Sequence, residues 1–175
     1  MRRQVSPLSV EGYHQLRDLG AISEKTELLN GVIVEKMTKS PFHEYLSSRR
    51  QALLSRDLPD GLLLRKEGPL TFAGSEPEPD LSLVSGSIED FREAHPACAE
   101  LVIEIAVTSM EIDRAKGELY AAAKVPFYWL LIANEKRVEV YTQPQSDGYA
   151  EKRVYGADDH LQTPFGTRIR ISDLF

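Results

Sequence analysis

The sequence is poor in cysteine, in long apolar runs and in positive charge, and each shortage excludes a class of protein. Cys98 is the only cysteine, so no disulfide can form within the chain, and a zinc site built on several thiolates is excluded. No apolar run approaches the roughly 20 residues that a membrane-spanning helix needs. No apolar signal-peptide segment follows the charged N-terminus. These shortages predict a cytoplasmic protein with no membrane partner.

The shortage of positive charge bears on nucleic-acid binding. The formal net charge is -6, whereas proteins that hold nucleic acid by bulk electrostatics are usually basic. The charge balance therefore argues against a tight, non-specific nucleic-acid binder. It does not exclude a nuclease, because such an enzyme concentrates carboxylates around a metal ion that offsets part of their charge.

The chain has the length and composition of one folded domain. Its 175 residues are 42% hydrophobic and 27% charged, which is ordinary for a globular protein with a sizeable core. There is no internal repeat, low-complexity tract or clear linker. We therefore expect a single domain over residues 1–175.

Periodicity predicts helices interspersed with strands. Asn30-Gly31 between two apolar runs predicts a β-hairpin, because both central residues of its turn need positive φ. Helices are expected over residues 9–19, 41–56, 87–94 and 112–124. Strands are expected over residues 62–64, 70–72, 80–84, 101–107, 127–132, 137–141, 149–155 and 168–171. The pattern predicts a mixed α/β (α+β) fold, with helices around a mostly antiparallel or mixed sheet.

Glu104 is the residue that says most about chemistry. It lies in the middle of the apolar run Leu101–Val107, with Val102 and Ala106 on its own face of the expected strand. Burying a carboxylate there is costly unless it is paired or bound to a metal. The alternative is a glutamate on the exposed face of an edge strand, and burial alone favours neither.

Asp80 is the natural partner for Glu104. It opens a strand after Glu76-Pro-Glu-Pro, although a Pro-Asp pair taken alone is more often a turn. Adjacent strands lie about 4.8 Å apart, so on neighbouring strands both carboxylates can reach one cation. Magnesium needs few protein ligands because it keeps several waters. The pair therefore predicts a magnesium site, in which manganese is a possible substitute.

Other candidate residues carry weaker signals. Lys116 lies on the helix after the Glu104 strand, where its ammonium could act on an attacking water or on developing phosphorane charge. The alternative for Lys116 is a solvated lysine that pairs with Asp113 one turn earlier. Glu27, before a hairpin strand, and His43, at the start of a helix, are further candidates, and each alone is more often structural.

Read together, these segments resemble the Uma family of "putative restriction endonucleases", a bacterial branch of the PD-(D/E)XK nuclease superfamily. The resemblance covers residues 9–149 and rests on the order and spacing of several motifs. They are Glu27-Leu-Leu-Asn-Gly-Val-Ile-Val-Glu-Lys-Met, His43, Glu78-Pro-Asp80, Leu101-Val-Ile-Glu104-Ile, Ser109, Asp113-Arg114, Lys116, Tyr120-Ala121, Val125-Pro-Phe-Tyr128-Trp129 and Val138-Glu-Val-Tyr141.

The resemblance implies a restriction-endonuclease-like core, with a central mixed sheet flanked by helices and additional β-hairpins. It implies Asp80 and Glu104 as magnesium ligands, Glu27 as an additional acidic residue and Lys116 as the catalytic lysine. The implied activity is metal-dependent hydrolysis of phosphodiester bonds in nucleic acid, with DNA favoured. A homodimer is expected by analogy, with Phe127, Tyr128, Trp129 and the hairpin after them offering apolar surface.

Three departures from the family pattern leave alternatives open. Ala106 stands where the superfamily has a lysine, Asp113 is one residue closer to Lys116 than usual, and Phe127 replaces an acidic residue. The shorter spacing leaves Asp113 pointing either into the site or elsewhere, and the change at Phe127 alters either the pocket or its rim. The alternative functions are a catalytically inactive binding or interaction module and a metal-dependent hydrolase of another class.

Overall fold

The structure is a computed structural model that describes residues 6–175. Residues 1–5, at which the sequence predicts no signal peptide, lie outside the described residues. Three α-helices run over Val10–Asp18 (α1), Pro41–Leu54 (α2) and Met110–Ala122 (α3). None of the helices in residues 6–175 is long and apolar enough to span a bilayer.

Ten strands accompany these helices. They are Thr26–Leu29 (β1), Val32–Glu35 (β2), Leu62–Lys66 (β3), Leu81–Ser85 (β4), Leu101–Ala106 (β5), Phe127–Ile132 (β6), Arg137–Gln145 (β7), Gly148–Tyr155 (β8), His160–Gln162 (β9) and Arg168–Arg170 (β10). Six of them form the central sheet in the order β3-β4-β5-β6-β7-β8, while β1–β2 and β9–β10 form separate hairpins. The predicted mixed architecture of sheet, helices and additional hairpins is confirmed.

The position of β5 in the sheet determines where the site lies. β5 pairs antiparallel with β4 and parallel with β6, and the parallel pair is connected through α3, as such a connection requires. All six residues of β5 are buried. A strand with neighbours on both edges and packing on both faces reads as a continuous apolar run, so Glu104 is in a central strand and the edge-strand alternative is wrong.

Two apolar clusters cover the two faces of the sheet. On one face α2, β9, β10 and the C-terminal turn Ile171–Leu174 pack against residues such as Ile103 and Trp129. On the other face α3 packs Leu119 and Tyr120 against Val102, Tyr128 and Leu130. Strand side chains alternate between the two faces. Glu104, two residues from Val102, therefore points toward α3.

Local sequence explains how the first segments begin and turn. The side chain of Ser9 caps α1 by accepting a hydrogen bond from the Gly12 N–H, and Ser40 caps α2 through His43 N–H. The β1–β2 turn has Asn30 at φ 50° and Gly31 at φ 76°, as the Asn-Gly pair predicts. A Cβ on Gly31 would lie 2.3 Å from the Cβ of Pro7.

Several predicted elements differ from the structure. No strand forms over residues 70–72: the Leu70 N–H bonds to the Pro77 carbonyl, and Phe72 makes one isolated bridge to Ser75. The helix predicted over 87–94 is a short 3-10 turn, Ile88–Phe91. The strand β9 was missed because three residues carry too little periodicity to be recognised.

Part of the apolar surface predicted for self-association is also wrong. Tyr128 and Trp129 are 0% and 1% exposed, because β6 lies inside the sheet with a packed layer on each face. Phe127 is only partly buried, but it packs against the α2-side cluster. These three residues therefore belong to the core, and of the surface on which the homodimer prediction was based only the hairpin after them is left.

Candidate active site

A cavity of about 290 Å³ lies where the β4 and β5 segments meet α2, α3 and the β1–β2 hairpin. The site residues predicted from the sequence all line it. They are Glu27, His43, Asp80, Glu104, Asp113 and Lys116. The fold thus brings together residues that lie up to 89 positions apart in the chain, from 27 to 116.

Asp80 is fixed by hydrogen bonds with two elements, β5 and α2. It lies immediately before β4, and its register places it opposite Glu104 on β5. Its Oδ2 accepts a bond from the Ile105 N–H at 2.8 Å and lies 3.1 Å from Nε2 of His43. Its own N–H donates to Glu104 Oε2 at 3.3 Å. The two carboxylates are therefore joined through backbone, as expected for neighbouring strands.

The charge of Asp80 is stabilised. Burial favours the neutral acid, but the hydrogen bond from His43 and the charge of Lys39 outweigh this effect and lower the pKa of Asp80 below its usual range. The Lys39 Nζ atom is 2.7 Å from Asp80 Oδ1. Asp80 is thus an ionised carboxylate at the floor of the cavity.

Glu104 has the opposite electrostatic environment. Its side chain is 4% exposed, and its Oε1 accepts a 2.7 Å bond from the Tyr120 hydroxyl. Burial, helped by the nearby charges of Asp80 and Asp113, raises the pKa of Glu104 to about 8. Lys116 opposes the shift without cancelling it. A bound cation would stabilise the ionised form.

Lys116 bridges two carboxylates inside the site. Its Nζ lies 2.9 Å from Glu27 Oε1 and 3.4 Å from Glu104 Oε1. Burial disfavours its charge, but Glu104 and Glu27 together raise the pKa of Lys116. The alternative of a solvated lysine paired with Asp113 is wrong. Lys116 places an ammonium in the site, whereas Ala106 is buried in the core on the α3 side.

Glu27 and Asp113 complete the acidic floor. Glu27 is held in place by the Glu78 N–H, which donates to its Oε2 at 3.1 Å. Asp113 Oδ2 accepts a 2.6 Å bond from the Ser109 hydroxyl, and burial raises the pKa of Asp113. Despite its shifted spacing, Asp113 thus faces the cavity. Phe127 packs in the α2-side cluster and forms neither the pocket nor its rim.

The residues present fit a hard divalent cation. The cavity lining holds six carboxylates against three lysines and one histidine, so negative charge is in excess. Within residues 6–175 no three acidic, histidine or cysteine side chains converge as metal ligands. Magnesium does not need three, because it is commonly bound through one or two carboxylates and keeps several waters. The donors in question are Asp80 and Glu104.

Sequence reasoning did not single out Lys39. It lies in the loop between β2 and α2 and contacts Asp80, yet a lysine in an aperiodic loop carries no signal of its own. The hydroxyl of Tyr120 was likewise not singled out as a hydrogen-bond donor to Glu104. Its position on α3, four residues after Lys116, could have indicated it, because both then lie on one helix face.

A second buried glutamate lies on the same face of the sheet. Glu139 on β7 pairs with Leu130 on β6, and Leu130 pairs in turn with Glu104 on β5. The Glu139 side chain is 1% exposed and receives hydrogen bonds from Arg114 and Tyr141. Lys152 lies 2.9 Å away and Arg137 3.7 Å away. This carboxylate is saturated by cations, whereas Glu104 is not.

Among comparisons with known proteins, a solved structure shows the fold and a family model shows the family. The crystal structure of a "putative nuclease belonging to DUF820" from Anabaena variabilis superposes with a TM-score of 0.78, covers 97% of this chain and 98% of its own, and is 21% identical. No curated protein matches the chain. The model of the Uma2 family, described as "Putative restriction endonuclease", matches residues 10–171. The chain therefore belongs to the Uma2 family.

Proposed function

We propose that this protein is a divalent-metal-dependent endonuclease that hydrolyses phosphodiester bonds of nucleic acid. The observation that carries the proposal is the pairing of Asp80 and Glu104 on neighbouring strands at the floor of one cavity, with Lys116 beside them. Family membership supports the nuclease class. The family description also favours DNA over RNA as substrate.

Asp80 and Glu104 would hold the cation, with Mg²⁺ as the expected cofactor and Mn²⁺ as a substitute. Such a cation polarises a phosphoryl oxygen and lowers the pKa of a bound water. Carboxylate oxygens suit both ions. The hydrogen bonds from Ile105, His43 and Tyr120 hold these carboxylates in place, as outer partners of metal ligands do.

Lys116 supplies positive charge to the reaction. An ammonium has three donors and no acceptor, so it can orient a water or stabilise the charge that develops on phosphorus oxygens, but it cannot take a proton. In the hydrolysis a water oxygen bonds to phosphorus, the bond to the leaving sugar oxygen breaks, and a proton passes to that oxygen. Preorganised charge in a water-poor site is effective in such a step.

The activity is tested with purified wild type, D80N and E104Q on plasmid DNA and on DNA and RNA oligonucleotides. We expect nicked or linear plasmid with Mg²⁺ or Mn²⁺, no cleavage with a chelator, and none by the two variants. Cleavage by D80N and E104Q as fast as by wild type would show the assignment to be wrong. The oligonucleotides also decide between DNA and RNA.

The homodimer, the cytoplasmic location and the bacterial source stay predictions. Sedimentation velocity at micromolar concentration tests the first: a single monomer species would contradict it. A dimer would have to use another surface than Phe127, Tyr128 and Trp129, since these residues pack in the core.

A further inference from the structure

Lys39 makes a contact that neither the proposed metal site nor the family pattern explains. It precedes the α2 cap residue Ser40, in the loop of residues 36–40 that forms one wall of the cavity. Its Nζ lies 2.7 Å from Asp80 Oδ1 and 2.9 Å from Glu67 Oε1. The side chain is 33% exposed. Lys39 is therefore a cation at the mouth of the site that reaches its floor.

The two oxygens of Asp80 have different partners. Oδ2 faces the Ile105 N–H and Nε2 of His43, and both of these donors belong to packed elements. Oδ1 faces Lys39. A divalent cation on Asp80 would compete with the Lys39 ammonium, because two cations held within a few ångströms repel strongly in a partly buried site.

Lys39 has the freedom to leave Asp80, whereas Lys116 does not. Lys116 is 11% exposed and bridges two nearly buried carboxylates. Lys39 sits on a flexible four-carbon stem, and its second partner, Glu67, is 33% exposed. A displaced Lys39 ammonium remains at the wall of the cavity. An anionic substrate oxygen is the partner that this position offers, because ammonium binds phosphate as a point charge.

We propose that Lys39 is a substrate-binding residue that exchanges Asp80 for a phosphate oxygen of the nucleic acid once a divalent cation binds. The proposal rests on the proposed function. It has two consequences of opposite direction: without substrate, Lys39 weakens metal binding, and with metal present, Lys39 strengthens substrate binding. A lysine with a merely structural role would not produce both.

Lys36 offers a matched control. It lies three residues away in the same loop, its side chain is 26% exposed, and its ammonium pairs with Glu78 at 2.8 Å. The variants K36M and K39M therefore remove the same charge from the same wall of the cavity. Only K39M removes the contact with Asp80.

The test has two measurements on wild type, K39M and K36M. Titration calorimetry with Mn²⁺ and no nucleic acid should give a dissociation constant about fivefold lower for K39M, as expected for removal of one partly exposed competing charge. K36M should bind Mn²⁺ like wild type. At saturating Mn²⁺ the KM for an oligonucleotide should rise for K39M, with a smaller change in kcat, and K39R should restore most of the loss.

The outcomes separate this inference from the proposed function. Wild type that binds Mn²⁺ and cleaves nucleic acid, together with a K39M variant that behaves like K36M in both measurements, overturns the exchange and leaves the nuclease assignment intact. Tighter Mn²⁺ binding by K39M without a rise in KM also overturns it. Wild type that neither binds Mn²⁺ nor cleaves nucleic acid overturns both proposals.

Discussion

Glu104 and Glu139 are the same residue type on the same face of one sheet, with Leu130 between them in a cross-strand row. Both are almost fully buried, at 3% and 1% exposure. Burial raises the pKa of Glu104 to about 8. Burial acts in the same direction on Glu139, but hydrogen bonds from Arg114, Tyr141 and Lys152 outweigh it and lower that pKa to about 2. Both side chains are shielded from solvent, and the additional hydrogen-bonding partners of Glu139 help to set the two pKa values apart.

The comparison teaches how to tell a structural carboxylate from a functional one. The three cations around Glu139 belong to α3, β7 and β8, and they tie these elements together. Glu104 shares its single ammonium with Glu27 and lies among other carboxylates. A buried charge with too few partners is costly. We therefore expect a further cation to bind beside Glu104, as the proposed function requires.

The largest expected effect comes from exchanging the basic partner of each glutamate. K116M should lower nuclease activity by about 10²–10³-fold, the cost of removing one preorganised contact to transition-state charge. R114M removes a cation two residues away on α3, from Glu139, and should retain activity where it is folded. The measurement is kcat/KM at a temperature at which both variants are folded. Equal losses in both would contradict the assignment of Glu104 to function and of Glu139 to structure.

Stability should respond in the opposite sense. E139Q leaves Arg114 and Lys152 without their carboxylate, whereas Arg137 keeps Glu135 at 2.7 Å. The variant should lower the free energy of unfolding by about 1.5–3 kcal/mol, as for charged hydrogen bonds. E104Q removes a carboxylate from an acidic cluster and should leave the metal-free stability unchanged or higher. Urea denaturation of both variants measures the difference. A greater loss in E104Q would mean that Glu104 is the structural member of the pair.

Acid should remove the contribution of Glu139. Folding lowers its pKa from an ordinary value of 4.5 to about 2, so the ionised group contributes stability that is fully present above the unfolded pKa. That contribution is lost as the pH falls through the folded pKa. The difference in unfolding free energy between wild type and E139Q should therefore narrow between pH 4.5 and 2. A constant difference over this range would show that charge is not its source.

The smallest expected effect separates two neighbours on β8. Lys152 faces Glu139, whereas the adjacent Arg153 points to the opposite face and lies 3.7 Å from the partly exposed Glu151. Because Lys152 is 41% exposed, K152Q should cost about 0.2–1 kcal/mol, and less at high salt. R153Q should cost less still. Equal losses of unfolding free energy in K152Q and R153Q, unchanged by salt, would show that K152Q acts through packing and not through charge.

Asp80 and Glu104 could be predicted as site residues because each is an acidic residue in or beside an apolar segment. Glu104 interrupts an apolar run, and Asp80 opens the neighbouring strand, so their proximity needed only one correct pairing. The Asn30-Gly31 hairpin that carries Glu27 could also be predicted, because positive φ at both turn positions restricts the residue types that can occupy them. In each instance the local residue types alone limit which structure the segment can form.

The remaining features depend on packing between distant segments. Glu139 alternates with Val138 and Val140 and looks like an ordinary exposed strand residue until Arg114 of α3 covers it. Tyr128 and Trp129 looked like surface because the sequence does not say that β6 has a neighbour on each edge. Lys39 contacts Asp80 across 41 residues of sequence. No periodic pattern carries information over that distance.

The most direct test of the proposed metal site at Asp80 and Glu104 is calorimetric titration of Mg²⁺ and Mn²⁺ into wild type, the D80A/E104A double variant and E139Q. We predict binding to wild type and to E139Q and none to the double variant, because only the Asp80–Glu104 pair would hold the ion. Binding that survives in D80A/E104A, or no binding to wild type, would contradict the account. The first result would place the metal site elsewhere in the protein. The second would favour a catalytically inactive binding or interaction module.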